Sequence, residues 1–84
     1  MGNDSEKIQI LNQLVSIVDS QSSKFKSSYK KMPPAQFASE RKLVLDNLNN
    51  AILVAGELKS VPGIKDTVND LQRLKSELSA LKQK

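Results

Sequence analysis

The side chains that most readily do chemistry are scarce in this 84-residue chain, which has neither histidine nor cysteine. Their absence removes the commonest general base near neutral pH, the thiolate nucleophile and the best zinc ligands together. Carboxylates remain. Asp66 and Asp70 stand one helical turn apart with Asn69 beside them, but this spacing lacks the glycine and the distal glutamate that a calcium loop requires. Their expected place is a solvated helix face. Gly2, Gly56 and Gly63 are too widely separated to build a loop that cradles phosphate. The chain is therefore read as a non-enzyme with no cofactor and no metal ligand.

A second pattern concerns charge. Thirteen bases against nine acids give a net charge of +4, a mild excess that falls unevenly. No acid occurs between Asp19 and Glu40, while Lys24, Lys26, Lys30 and Lys31 lie between them. Two of the three aromatic residues, Phe25 and Tyr29, are interleaved with these lysines. Lysines that contact phosphate and rings that stack on nucleobases would make such a block a nucleic-acid site, and an acidic protein or an anionic membrane surface suits the same charges. The competing expectation is that Phe25 and Tyr29 lie on a core stripe and the lysines on its wet side, where they also suit the negative end of a helix.

The elements that must position these residues are marked off by proline, which lacks an amide donor and disfavours helical geometry in the residue before it. Met32-Pro33-Pro34 and Val61-Pro62-Gly63 divide the chain into three segments. In the first, Ile8, Leu11, Val15, Val18, Ser22, Phe25, Tyr29 and Met32 recur in steps of three and four, a helical stripe. Its serine-rich second half is the weaker helix, because serine competes for backbone hydrogen bonds. In the second, Phe37, Val44, Leu48, Ala51, Ala55 and Leu58 share one side, with Leu45 and Ile52 adjoining. The uncharged run from Ala51 to Gly56 thus belongs to a helix and not to a strand. The third, Ile64, Thr67, Leu71, Leu74, Leu78 and Leu81, is a clean heptad stripe with charged flanks.

Three such segments joined by short connections predict an all-α fold, an antiparallel up-down-up three-helix bundle with helices over about 5–31, 34–60 and 62–83. The chain reads as a single domain, 1–84, with a flexible tail at 1–4. No stretch reaches the roughly 18 apolar residues of a membrane span, and the polar start does not resemble a signal peptide. The expected location is cytoplasmic. Gly2 does not fit the myristoylation pattern, since Glu6 stands where Ser or Thr is needed, and the Asn3-Asp4-Ser5 sequon is only formal.

Three stripes leave apolar residues over. Ile10, Leu14 and Ile17 flank the first stripe; Leu43, Val54 and Val61 continue the second around one flank, and Leu53 sits nearly opposite it. These seven are the expected partner-binding residues, forming a groove for an amphipathic helix of another protein or of a second copy of this one. Ala51, Ala55 and Gly56 are small enough to let a neighbouring helix approach closely. The expected function is a non-enzymatic protein interaction module: an adaptor, a small dedicated chaperone or an immunity-type inhibitor. The alternatives are an accessory nucleic-acid-binding protein using Lys24 to Lys31, and a self-associating structural coiled coil.

Overall fold

The computed structural model describes residues 3–58 and 60–83, with side chains from Ser5 onward. Three helices make up the architecture: α1, Asn3–Ser28, continued by a 3-10 turn at Tyr29–Lys31; α2, Pro34–Gly56; and α3, Ile64–Ala80. The fold is an all-α three-helix bundle. Helix α1 already runs through two residues of the expected 1–4 tail, and the other two lie outside the described residues.

Long-range contacts set the topology. Asn47 on α2 donates a hydrogen bond to Gln21 on α1, whereas Arg41 near the start of α2 reaches the carbonyl of Leu81 beyond the end of α3. Lys26, late in α1, pairs with Glu77, late in α3. Consecutive helices are therefore antiparallel, α1 and α3 run the same way, and the bundle is up-down-up. Helix α2 is the shared member, since α1 with α2 and α2 with α3 are its principal packing pairs. The result is a rod of 48 × 18 × 15 Å.

Each helix end has a local cause. The hydroxyls of Ser22, Ser27 and Ser28 donate back to carbonyls three or four residues earlier in α1. Such bonds compete with the helical ladder, and it is immediately after Ser28 that α1 tightens into the 3-10 turn. Pro34 occupies the first turn of α2, where no amide is needed, and the Phe37 amide closes that turn on the Pro33 carbonyl at 2.9 Å. Helix α2 ends at Gly56, four residues before the sequence-based limit, and successive tight turns carry the chain on through Leu58 and Val61. Gly56 is a poor helix former, and Pro62 holds Val61 away from helical geometry. Gly63 has a φ of 82°, a left-handed conformation that side chains with a Cβ resist, and so α3 begins at Ile64 and not at Pro62.

The core lies where the stripes meet. Leu11, Val18 and Phe25 of α1, Phe37, Val44, Leu48, Ala51 and Ala55 of α2, Leu58, and Ile64, Leu71 and Leu78 of α3 are all buried. Burying a side chain of leucine size contributes about 1.5–3 kcal/mol, so Leu48, Leu58 and Leu78, which are almost wholly enclosed, are among the largest single contributions. Ser22 is the buried polar residue, and its bond to the Asp19 carbonyl satisfies it.

Candidate functional site

In a bundle of three rods the third fills one groove of each pair and leaves the outer groove open. The three outer faces differ in chemistry. Between α1 and α3 it is mixed: Asp19, Thr67 and Asp70 line it with Val15, Leu71 and Leu74, and the Lys26–Glu77 pair at 2.7 Å crosses it further along. The Lys26 hydrogen bond and charge, helped by Arg73, hold the Glu77 carboxyl below its usual range. Between α2 and α3 lies an apolar crevice with a polar rim, lined by Ala55, Gly56, Ile64, Val68, Lys65 and Asn69. Ala51 and Ala55 are buried, whereas Gly56 is exposed.

The outer α1/α2 face is different. Ile10 is 48% exposed and Ile17 46% on α1; Leu43 is 53% exposed and Leu53 68% on α2. These are the exposed large apolar side chains among the described residues, and none is on α3. Leu14, Val54 and Val61 are half-buried and pack against the core, Val61 from the α2–α3 connection.

Helix geometry places the seven expected partner-binding residues more finely. The Asn47–Gln21 contact at 2.9 Å fixes the level of α1 against α2. Seven residues back along α1 is Leu14, and seven forward along α2 is Val54, so these two stand side by side. Ile10 and Ile17 lie about one turn to either side of Leu14 and on nearly the same face, at about 100° per residue. Ile10, Leu14, Ile17 and Val54 therefore form one continuous strip. Leu43 sits beyond the Gln21–Asn47 pair, in a shallow groove with Lys24 and Glu40. Leu53 is turned about 100° from Val54 and points outward from α2, away from both neighbours. Four of the seven are thus gathered, one lies across a polar interruption, one faces elsewhere, and Val61 belongs to the connection.

The basic block resolves into two parts. Phe25 is buried, and the rings of Phe25, Tyr29 and Phe37 form one cluster with centroids 5.4–6.1 Å apart. All three aromatic residues of the chain pack on one another there, Phe25 and Phe37 buried and Tyr29 half-buried. Lys24, Lys26, Lys30 and Lys31 are exposed. Arg41, Lys42 and Lys82 join them at that end of the rod, where Glu40 and Glu77 also lie, while Glu6, Glu57 and Asp66 lie toward the other end with Lys7 and Lys65. Lys7 lies 3.8 Å from Glu57.

One group went unanticipated. Gln83 donates from Nε2 to the carbonyls of Tyr29 at 3.1 Å and Met32 at 2.6 Å, fastening the chain beyond α3 to the turn between α1 and α2. The Arg41 guanidinium donates to the Leu81 carbonyl at 3.0 Å and lies 4.7 Å above the Phe37 ring. Nothing periodic in the sequence marks these contacts, which join residues 40 to 54 positions apart.

No three His, Cys, Asp or Glu side chains converge on a metal-sized space among the described residues, and no helix is long and apolar enough to cross a membrane. No protein-family model, curated protein or solved structure matches the chain.

Proposed function

We propose that the protein is a non-enzymatic interaction module, of the adaptor, dedicated-chaperone or immunity-inhibitor kind, that receives an amphipathic helix of a protein partner on the outer α1/α2 face. One observation carries the reading: Ile10 and Ile17, with the half-buried Leu14 and Val54 beside them, leave a continuous apolar strip open on the outer α1/α2 face, while α3 has no large apolar side chain exposed among the described residues. Exposed apolar area of this kind is characteristic of a docking surface. A partner helix with apolar residues at i, i+3 or i+4, and i+7 matches the spacing of Ile10, Leu14 and Ile17.

The nucleic-acid alternative keeps its lysines, while two of its three rings, Phe25 and Phe37, are buried and Tyr29 is half-buried. Its affinity would rest chiefly on phosphate attraction, which falls steeply with salt.

A photoreactive residue placed at Ile17, with Gln72 on the exposed side of α3 as control, tests the proposal in the native host. The expected result is a discrete cross-linked protein from position 17 that persists at about 1 M salt, where charge attraction is screened, and none from position 72. Equal labelling from both positions, or a product lost at high salt, contradicts it.

A further inference from the structure

We infer that the helix this face receives is α1 of a second copy, so that the chain forms an antiparallel two-fold dimer centred near Val54; the inference rests on the docking face proposed above. A partner for the strip must itself present an apolar stripe at helical spacing, and α1 carries one on its outer side in Ile10, Leu14 and Ile17. A two-fold interface needs a surface complementary to itself.

Three features of the face meet that condition. Ile10 and Ile17 are both about half exposed, and an antiparallel arrangement that sets Ile10 of one copy on Ile17 of the other satisfies both at once. The midpoint of that pair lies between Gln13 and Leu14. By the level fixed at Gln21 and Asn47, the matching point on α2 is at Val54 and Ala55, which brings Val54 against its own counterpart across the axis. Charge order supplies the third feature. Glu6 precedes the strip and Lys24 follows it, and both are exposed. In this register Lys24 falls within three residues of Glu6 of the second copy, about 4.5 Å along the axis, a gap that a lysine side chain spans. A parallel arrangement would instead oppose Glu6 to Glu6 and Lys24 to Lys24. The charges therefore select the antiparallel dimer, in which the two α1 helices pack along each other, the C-terminal ends of the two α2 helices meet near Val54 and each α3 remains outside.

The absence of cysteine makes the geometry directly testable. An equimolar mixture of Ile10→Cys and Ile17→Cys chains, oxidised under native conditions, is expected to yield mainly the mixed 10–17 disulfide, because only residues with Cα atoms within about 7 Å can be bridged. Sedimentation equilibrium over roughly 5–500 µM is expected to show the wild-type mass rising from monomer to dimer, as mass action requires. Ile10→Asp with Ile17→Asp should leave a helical monomer throughout that range. Lys24→Glu should weaken dimerisation several-fold, and adding Glu6→Lys should restore it. Mixed disulfides no more abundant than 10–10 and 17–17 species overturn the antiparallel register. A wild-type chain monomeric throughout overturns self-association, and the position-17 cross-link then decides the docking face independently: a different protein captured there preserves the face with another occupant.

Discussion

Ile17 and Val18 are neighbours in sequence with opposite surroundings, and replacing each in turn by aspartate separates surface from core. Ile17 is 46% exposed and Val18 0%. Full burial of an isoleucine side chain contributes about 1.5–3 kcal/mol, so the covered half of Ile17 accounts for about 1 kcal/mol. Aspartate and isoleucine differ little in helix propensity, and the exposed position lets the new carboxylate keep its hydration. Ile17→Asp should therefore cost about 1 kcal/mol. Val18→Asp loses a similar transfer energy and also places a carboxylate in the enclosed core, where the penalty for an unpaired ion is several kcal/mol. At about 0.05–0.15 kcal/mol per residue, an 84-residue domain has only about 4–12 kcal/mol in total. Urea unfolding followed by circular dichroism at 222 nm reads both effects. With a slope of about 1–2 kcal/mol per molar, Ile17→Asp should lower the midpoint by about 0.5–1 M and keep the cooperative transition. Val18→Asp should be largely unfolded without denaturant. Equal losses for the two variants, or a well-folded Val18→Asp chain, would refute the assignment of α1's two faces.

Three further outcomes follow from the helix ends and the ion pair. Gly63→Ala should destabilise by about 1 kcal/mol because φ there is 82°, whereas Gly56→Ala should be neutral or stabilise by up to about 0.5 kcal/mol, since its φ is not positive and an added Cβ meets nothing within 4 Å; paired thermal melts check the opposite signs. Gln83→Ala removes two hydrogen bonds to the α1–α2 turn and should cost about 1 kcal/mol, with faster amide exchange at Tyr29 to Met32 as its local signature. The Lys26 hydrogen bond and charge hold the Glu77 pKa below its ordinary value, so its folded pKa lies under its unfolded one. Its contribution is then present above the unfolded value of about 4.3 and fades as pH falls through the folded value. The wild-type advantage over Glu77→Gln in melting temperature should accordingly be small, present at pH 6 and vanishing in acid and in high salt; an advantage that grows on acidification would contradict the pairing.

Much of the fold is legible in the sequence because burial in a helical bundle follows a period. Leu11, Val18, Ser22 and Phe25, then Phe37, Val44, Leu48, Ala51 and Ala55, then Ile64, Leu71 and Leu78 stand on the stripes read from spacing alone and are all buried. Proline and glycine place the helix boundaries to within a few residues. The largest difference, at the end of α2, arises because the chain after Gly56 keeps turning tightly and buries Leu58 without remaining helical. The candidate face is legible only in part. Periodicity identifies Ile10, Ile17, Leu43 and Leu53 as lying off the core stripes, but it does not say on which flank the neighbouring helix lies. That is why Leu43 separates from the strip in three dimensions while Leu14 and Val54 become half-buried in it; Leu53, nearly opposite the core stripe by its spacing, faces away from both neighbours. The contacts of Gln83, Arg41 and Asn47 are single polar matches between distant positions, and no local propensity or period encodes them.

The outer α1/α2 face should be the surface that a partner touches. The direct measurement is quantitative mass spectrometry of proteins retained from the native host at about 1 M salt by three forms: the wild-type chain, the Ile10→Asp with Ile17→Asp chain, and a control with Gln72→Asp on α3. A partner, whether a second copy of the chain or another protein, should be retained by the wild type and the α3 control and absent from the face variant, with all three forms equally helical. Identical retention by all three forms would contradict it.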